Sequence, residues 1–501
     1  MSDPAAGRLR PIKANERLRP IRANGRLRPI RIVLFLLVWA SCSWFGSWEM
    51  NTNNAVRLYA TLAIVERGEA TIDQFDSATT DKAQFGDHIY LDKAPGMTLM
   101  AIPAVAALHA LSPARSNNFQ LITGSGAFAR FIRVRTRLAV ATGPALLTAI
   151  AALLLFDMGL SLSGSVSAGL AAAVAYGLGT PAWAWSTSLL GHAPLAALYV
   201  IALWAALRAT SGEETRRWPA FLLGLALGWA VVVEYPAVVA GGAIALWAAW
   251  RAWRRADRVT VLGLAIAGGL IGLVPLFAYN LFAFGNPFQL GYEGVVGFDG
   301  MNQGLFGVGL PDPLVLWRIT FGQQRGLFWF APVLLLGLWG VALLIRDRRT
   351  RDIGLVVLAV AAITLLINAG YFYWDGGYST GPRHSVPIVG VLSLGVAAAW
   401  AKRGRGVGRY LPAEVIVLSI AINACMAATD IYGNPGAAFQ LREVVMGPFV
   451  DGHIRSFASD WLGWSPGAGF ILWQAVAIPV LCWLATMAGR ADRMPSDVTK
   501  A

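Results

Sequence analysis

Apolar runs of about 18 residues or more recur along most of this chain, and that one feature decides what it can fold into. Inside lipid no water is available to satisfy backbone N–H and C=O groups, so each run must close its own hydrogen bonds as a helix. Only 14% of the residues are charged and 56% are hydrophobic, against about 25% charged in a soluble domain. The sequence therefore predicts an all-α polytopic membrane protein. Three cysteines, Cys42, Cys425 and Cys482, lie in or beside apolar runs without CxxC or Cys/His spacing, which argues against a cysteine metal site.

A net charge of +13 does not point to nucleic acid, because more than half of it sits in one place. Residues 8 to 34 repeat a nine-residue unit three times, "RLRPIKANE", "RLRPIRANG" and "RLRPIRIVL". Proline in each copy opposes helix. Residues 1–31 are accordingly expected to be a basic cytoplasmic tail lying on anionic lipid. A first span over 32–48 then carries the chain outward.

Whether 95–111 crosses decides the rest of the topology. The later runs are 138–156, 165–182, 193–210, 218–234, 236–251, 259–281, 327–345, 353–371, 385–401, 411–429 and 469–488. If 95–111 stays at the outer interface, "SGEETRRW", "RAWRRADR", "RDRRTRD", "AKRGRGVGR" and "GRADR" all fall in the cytoplasm, as positive residues prefer. Pro95 and Pro103 also interrupt that run. The expectation is about twelve spans within 32–488 of an inner (cytoplasmic) membrane protein, with both termini cytoplasmic and 489–501 a C-terminal tail. Outer loops are expected over 49–137, 282–326, 371–384 and 430–468. One cost is that Arg115, Arg130, Arg133, Arg135 and Arg137 land on the outer side, where they ask for an anionic partner such as a lipid-linked phosphate.

This topology gathers all five histidines, His88, His109, His192, His384 and His453, on one face with most of the unpaired acids. Aromatic and glycine-rich stretches such as "YFYWDGGYSTGPRH" surround them, suited to sugar rings and to close backbone approach. Glu234, in "VVVEYPAVV", is placed at the surface by a short outer turn.

A first span followed by "NNAVRLYATLAIVERGEATID" and "FGDHIYLDKAPGMTLMAIPAVAAL" resembles the first outer loop of GT-C glycosyltransferases. The similarity is to the branch of protein O-mannosyltransferases and the lipid A aminoarabinose transferase. Arg57 to Tyr59 match that branch's helix, while Tyr90, Asp92, Lys93 and Pro95 match its Y-x-[DE]-K-x-P element. The resemblance implies a GT-C-like bundle that moves a sugar from a polyprenyl-phosphate donor to a lipid, glycan or protein acceptor on the outer (periplasmic) face. Membrane lipids surround it, and no nucleotide or nucleic-acid site is needed; no P-loop or Rossmann glycine motif occurs.

Transfer to a hydroxyl needs a carboxylate near the acceptor and cations on the departing phosphate. The family's usual acid position reads Asn54 here, so Asp92 and Glu49 are the candidate catalytic acids, with Asp81 and Asp87 behind them. Arg57 and Lys93 are the first candidates for the phosphate, followed by Arg383 and His384, with Arg325 in a similar position. His88, Tyr90 and His192 complete the candidate substrate-binding set. Apart from a divalent cation, these residues point to no cofactor. Some relatives use a divalent cation, and His88, Asp92 and His384 could hold one, although no HxxxH or ExxH spacing supports it. Alternative readings are a transporter or flippase, or a non-catalytic binder, of lipid-linked glycans. Paired broken helices in two repeated halves would mark a transporter, and the sequence shows no such repeat.

Overall fold

A computed structural model describes residues 25–46, 51–122, 126–212, 216–403 and 410–494. The chain begins with α1 (Arg28–Trp44), α2 (Thr52–Arg67), a hairpin of β1 (Ala83–Phe85) and β2 (His88–Tyr90), and α3 (Gly96–Leu111). Next come α4 (Gly126–Thr142), α5 (Pro144–Ser163), α6 (Val166–Gly179), the single turn α7 (Ala182–Trp185), α8 (His192–Thr210), α9 (Arg217–Val233) and α10 (Ala237–Trp253). The second half holds α11 (Arg258–Phe284), α12 (Pro313–Thr320), the turn α13 (Leu327–Phe330), α14 (Val333–Arg346), α15 (Arg351–Ala369), α16 (Val389–Ala401) and α17 (Leu411–Ala428). Two short helices, α18 (Gly447–Val450) and α19 (Phe457–Trp461), precede α20 (Pro466–Arg493).

Among the described residues seven helical segments are long and apolar enough to cross a membrane. A count of twelve requires that α1 and the shorter α6, α9, α10 and α14 cross as well. α6 and α8 are almost wholly buried, whereas α11 and α20 turn Ile266, Leu270, Val274, Ile471 and Val476 outward. Outward Leu, Ile and Val along whole helices are what a lipid-facing wall requires. Small residues set the closest contact. Gly224 on α9 meets Ala265 and Gly269 on α11, Gly228 meets Gly269 and Gly272, and Gly268 meets Phe221 and Leu225, so closely that a Cβ on Gly224 or Gly268 would collide with the facing backbone. This four-residue spacing lets two helices approach by dispersion and backbone contact where lipid offers no hydrophobic drive.

Several expected boundaries move. The expected 49–137 loop holds three helices, α2, α3 and the first turns of α4. The arginines at 130, 133, 135 and 137 had masked α4 as a helix, since hydropathy rather than periodicity set the expected edge. α20 runs on to Arg493 rather than ending at 488, because Asp492 has work to do there: its carboxylate accepts from Val166 N at 2.6 Å and Ser167 N at 3.1 Å, capping α6. Residues 1–24 of the basic tail and Glu49 lie outside the described residues.

α3 packs against α2 and α4 and abuts the end of α9, where Gly96 leaves room for the Val232–Val233 backbone. The arginines expected to seek an anion nearby are partly answered by the protein itself. Arg137 donates to the carbonyls of Ser43, Trp44 and Phe45 at the C-terminus of α1, at 2.8 to 3.2 Å, and pairs with Asp460 at 3.1 Å. Arg135 lies 3.4 Å over the Phe131 ring and donates to Phe131 O and Ala114 O. Arg115 donates to Ser112 O and Ala114 O.

Candidate active site

α2 carries the first cation of the site. Asn51 caps it, accepting from Asn53 N at 3.1 Å and donating to Tyr378 O at 3.2 Å. Thr61 and Thr98 both donate to Arg57 O, at 2.8 and 3.0 Å, and so bolt α2 to α3. With its backbone held, buried Arg57 donates to Asn53 O at 2.7 Å and pairs with Glu234 at 3.2 Å. Glu234 closes the turn between α9 and α10, and its side chain is only 13% exposed. The surface position expected for it is therefore corrected: the α9 terminus, fixed against Gly96, turns this acid inward.

Lys93 follows from the neighbouring loop. It pairs with Asp92 and, at 3.1 Å, with Asp81. The two acids differ in environment. Thr52 donates to Asp81 at 3.0 Å, and although burial opposes ionisation, Lys93, Thr52 and Arg383 together hold its carboxyl below the usual range. Asp92 is fully buried and burial pushes its carboxyl up despite Lys93, leaving Oδ1 with no hydrogen bond. Burial acts against the Lys93 ammonium, yet Asp81 and Asp92 outweigh it and raise its pKa.

The third cation arrives from residues 371–384. Arg383 makes no ion pair with any described carboxylate; it donates to His384 Nε2 at 3.3 Å and lies within electrostatic range of Tyr371, Asp81, Glu234 and Arg57. His192 and His384 meet edge to face with centroids 5.3 Å apart, and His384 meets Tyr371 at the same separation. Arg57, Lys93, Asp92, Arg383, His384 and His192 thus share one end of the bundle.

The remaining candidates do not join this cluster. His88 is exposed on the hairpin and bonds Asp73 at 2.7 Å. Tyr90 packs on Phe85 and Phe284, with its ring 5.2 Å from the latter. Arg325 is fully buried, and its guanidinium is taken up by Ser379 O, Gly381 O, Gly377 O and Gln440 Oε1. It shapes the loop that presents Arg383 rather than pairing with an acid of the cluster. Asn54 likewise faces inward, accepting Leu189 N at 2.7 Å. Glu234 was the residue missed as a site member. Its signal was present in "VVVEYPAVV", an acid with no neighbouring base in sequence, but its partner Arg57 is 177 positions away.

Among the described residues no three histidine, cysteine or carboxylate side chains stand close enough to hold a metal ion. Asp81 and Asp92 both turn to Lys93.

Residues 127–279 match the family of dolichyl-phosphate-mannose-protein mannosyltransferases. The match is independent of the loop motifs at 57–95, and it meets the GT-C resemblance read from them. It covers under a third of the chain and includes His192 and Glu234. Among solved structures, ArnT from Cupriavidus metallidurans bound to undecaprenyl phosphate is similar at 15% identity and a TM-score of 0.49, over 93% of this chain and 75% of that one. Its apo state is similar at 15% identity and a TM-score of 0.42, over the same shares. No curated protein matches.

Proposed function

We propose that this chain is an integral-membrane glycosyltransferase that takes a sugar from a polyprenyl-phosphate donor at the end of the bundle bearing Arg57, Lys93 and Arg383, which faces the outer side. The observation that carries the reading is the convergence of three cations from distant segments, one of which, Arg383, has no carboxylate partner. An arginine half-buried without an anion is costly unless a ligand supplies one. The family matched by residues 127–279 is defined by a dolichyl-phosphate sugar donor, the same chemistry.

In this reading the three cations hold the phosphate and stabilise the charge that grows on it as the sugar leaves. Asp92 acts through Lys93, orienting the ammonium from below. The donor's polyprenyl tail lies along the apolar outer wall of the bundle. Sugar and acceptor identity are set by the aromatic loops around Tyr371 and Tyr292.

The test is binding in nanodiscs of undecaprenyl phosphate against the matching polyprenol, followed by turnover of a panel of radiolabelled polyprenyl-phosphate sugars. Retention that depends on the phosphate group is the expected result. Equal retention of the alcohol, or none of either, would overturn the proposal.

A further inference from the structure

Transfer to a hydroxyl leaves a proton to be taken, and three carboxylates reach the cluster. They are not equally free to take it. Asp81 has both oxygens engaged, Oδ1 by Thr52 at 3.0 Å and Oδ2 by Lys93 at 3.1 Å. Asp92 has no exposed surface at all, so no acceptor hydroxyl can reach it in this arrangement. Glu234 differs from both. Its Oε1 is held by Arg57 at 3.2 Å, no hydrogen bond or ion pair from the described residues occupies Oε2, and the side chain keeps 13% of its surface open. Its position is also defined from below, because Gly191 at the start of α8 leaves the space that the carboxylate fills; a Cβ there would collide with it.

Resting on the glycosyltransferase reading above, we infer that Glu234 is the catalytic base that accepts the acceptor's hydroxyl proton, a role that Asn54 cannot fill. The acceptor oxygen forms a bond to the anomeric carbon while the bond from that carbon to the phosphate oxygen breaks. The electron pair leaves on the phosphate, which Arg57, Lys93 and Arg383 hold, and the proton passes to Glu234 Oε2. Arg57 then has two tasks: it fixes the base through Oε1 and faces the leaving group. The acceptor is accordingly a hydroxyl-bearing molecule, a sugar, lipid alcohol or seryl or threonyl side chain.

The surroundings make this carboxylate a stronger base than an ordinary glutamate. Burial raises the Glu234 carboxyl above the usual glutamate value, while Arg57, Lys93 and Arg383 pull it back. Phenols lie beside it as well, Tyr235, Tyr292 and Tyr371, and burial raises each of them, so they stay neutral where a carboxyl titrates. A base must be ionised to act, so activity falls as pH drops through the raised value.

The experiment compares wild type with Glu234→Gln, Glu234→Asp and Glu234→Ala in nanodiscs, measuring undecaprenyl-phosphate binding and sugar transfer separately. Glu234→Gln should bind undecaprenyl phosphate within about three-fold of wild type while kcat falls by about 10²- to 10⁴-fold. The acid limb of its pH profile should vanish, Glu234→Asp should recover part of the rate, and formate should rescue Glu234→Ala. Wild-type rates and pH profile in Glu234→Gln overturn the inference and leave the donor reading standing. Loss of binding in step with rate, with no rescue by formate, shows that Glu234 only positions Arg57 and overturns it too. A wild type that binds the lipid phosphate but transfers no sugar, to water or to any hydroxyl acceptor, has the same consequence. Failure of wild type to bind undecaprenyl phosphate removes the donor reading itself.

Discussion

The two ends of the bundle both carry arginines and acids, yet they treat them differently. At one end Arg31 closes on Asp157 through two nitrogens, at 2.7 and 3.1 Å. There too Arg251 pairs with Asp352 and bonds Thr210 at 2.8 Å, and Arg255 grips Asp257 at 2.7 and 2.9 Å. Asp157, Asp352 and Asp257 each have an answering cation, and Asp492 caps a helix. At the other end Arg383 has no carboxylate, Glu234 offers an unengaged oxygen, and Asp92 leaves Oδ1 without a partner. Saturated charges hold a fold together; unsaturated ones wait for something that is not part of the chain. The difference separates structure from function more sharply than residue type does.

Arg325 gives the largest effect and shows what saturation means at the functional end. Its guanidinium binds the carbonyls of Gly377, Ser379 and Gly381, so Arg325→Ala leaves these buried acceptors without a donor. The expected cost is about 3 kcal/mol, seen as a lowered Tm in nanodiscs, and donor binding should weaken as well because Arg383 lies two residues beyond that loop. An unchanged Tm would show that water replaces the guanidinium and that the loop supports itself.

The next pair of variants sets the two ends directly against each other. Arg31→Ala breaks a partly buried pair and should cost about 2 kcal/mol of stability, while undecaprenyl-phosphate affinity stays at the wild-type level. Arg383→Ala should do the reverse. It removes no ion pair, so Tm should hold, but affinity for the lipid phosphate should fall by about 10- to 100-fold, the worth of one charge-assisted contact. Equal Tm losses in both variants would erase the distinction.

Much of this organisation could be read from the chain, and the reasons for the exceptions are physical. Hydropathy located the helices because burial in lipid is a property of each run by itself. Arg57, Lys93 and Arg383 could be named because short motifs flank them, although nothing in sequence said that they meet. Arg325 and His88 carried the same signals and went elsewhere, one into backbone carbonyls and the other onto Asp73. Glu234 was misplaced because a turn of three residues looks exposed until the neighbouring Gly96 pins the end of α9 and rotates the acid inward. Side-chain direction at a turn depends on what packs behind it, and periodicity does not encode that.

The finest contrast lies within the functional end, between two acids that share one lysine. Asp81 has its carboxyl held low, with Lys93 and Thr52 on its two oxygens. A depressed folded-state pKa contributes stability above the unfolded value, about 3.9, and that contribution is lost only as pH falls through the lower folded value. Asp92 is the opposite case, since burial raises its carboxyl. A raised folded-state pKa favours the fold below the unfolded value, and this contribution fades as pH rises through the folded one. At pH 7 Asp81→Asn should therefore lower Tm more than Asp92→Asn, although Asp92 is the more deeply buried of the two. As pH is lowered from 7 towards the unfolded carboxylate value of about 3.9, the Asp81→Asn deficit should hold steady, whereas the difference between wild type and Asp92→Asn should shift in favour of wild type. Melting curves of both variants at three pH values decide it: a larger loss for Asp92→Asn at pH 7 would mean that Asp92, not Asp81, is the acid that anchors Lys93 against the incoming phosphate.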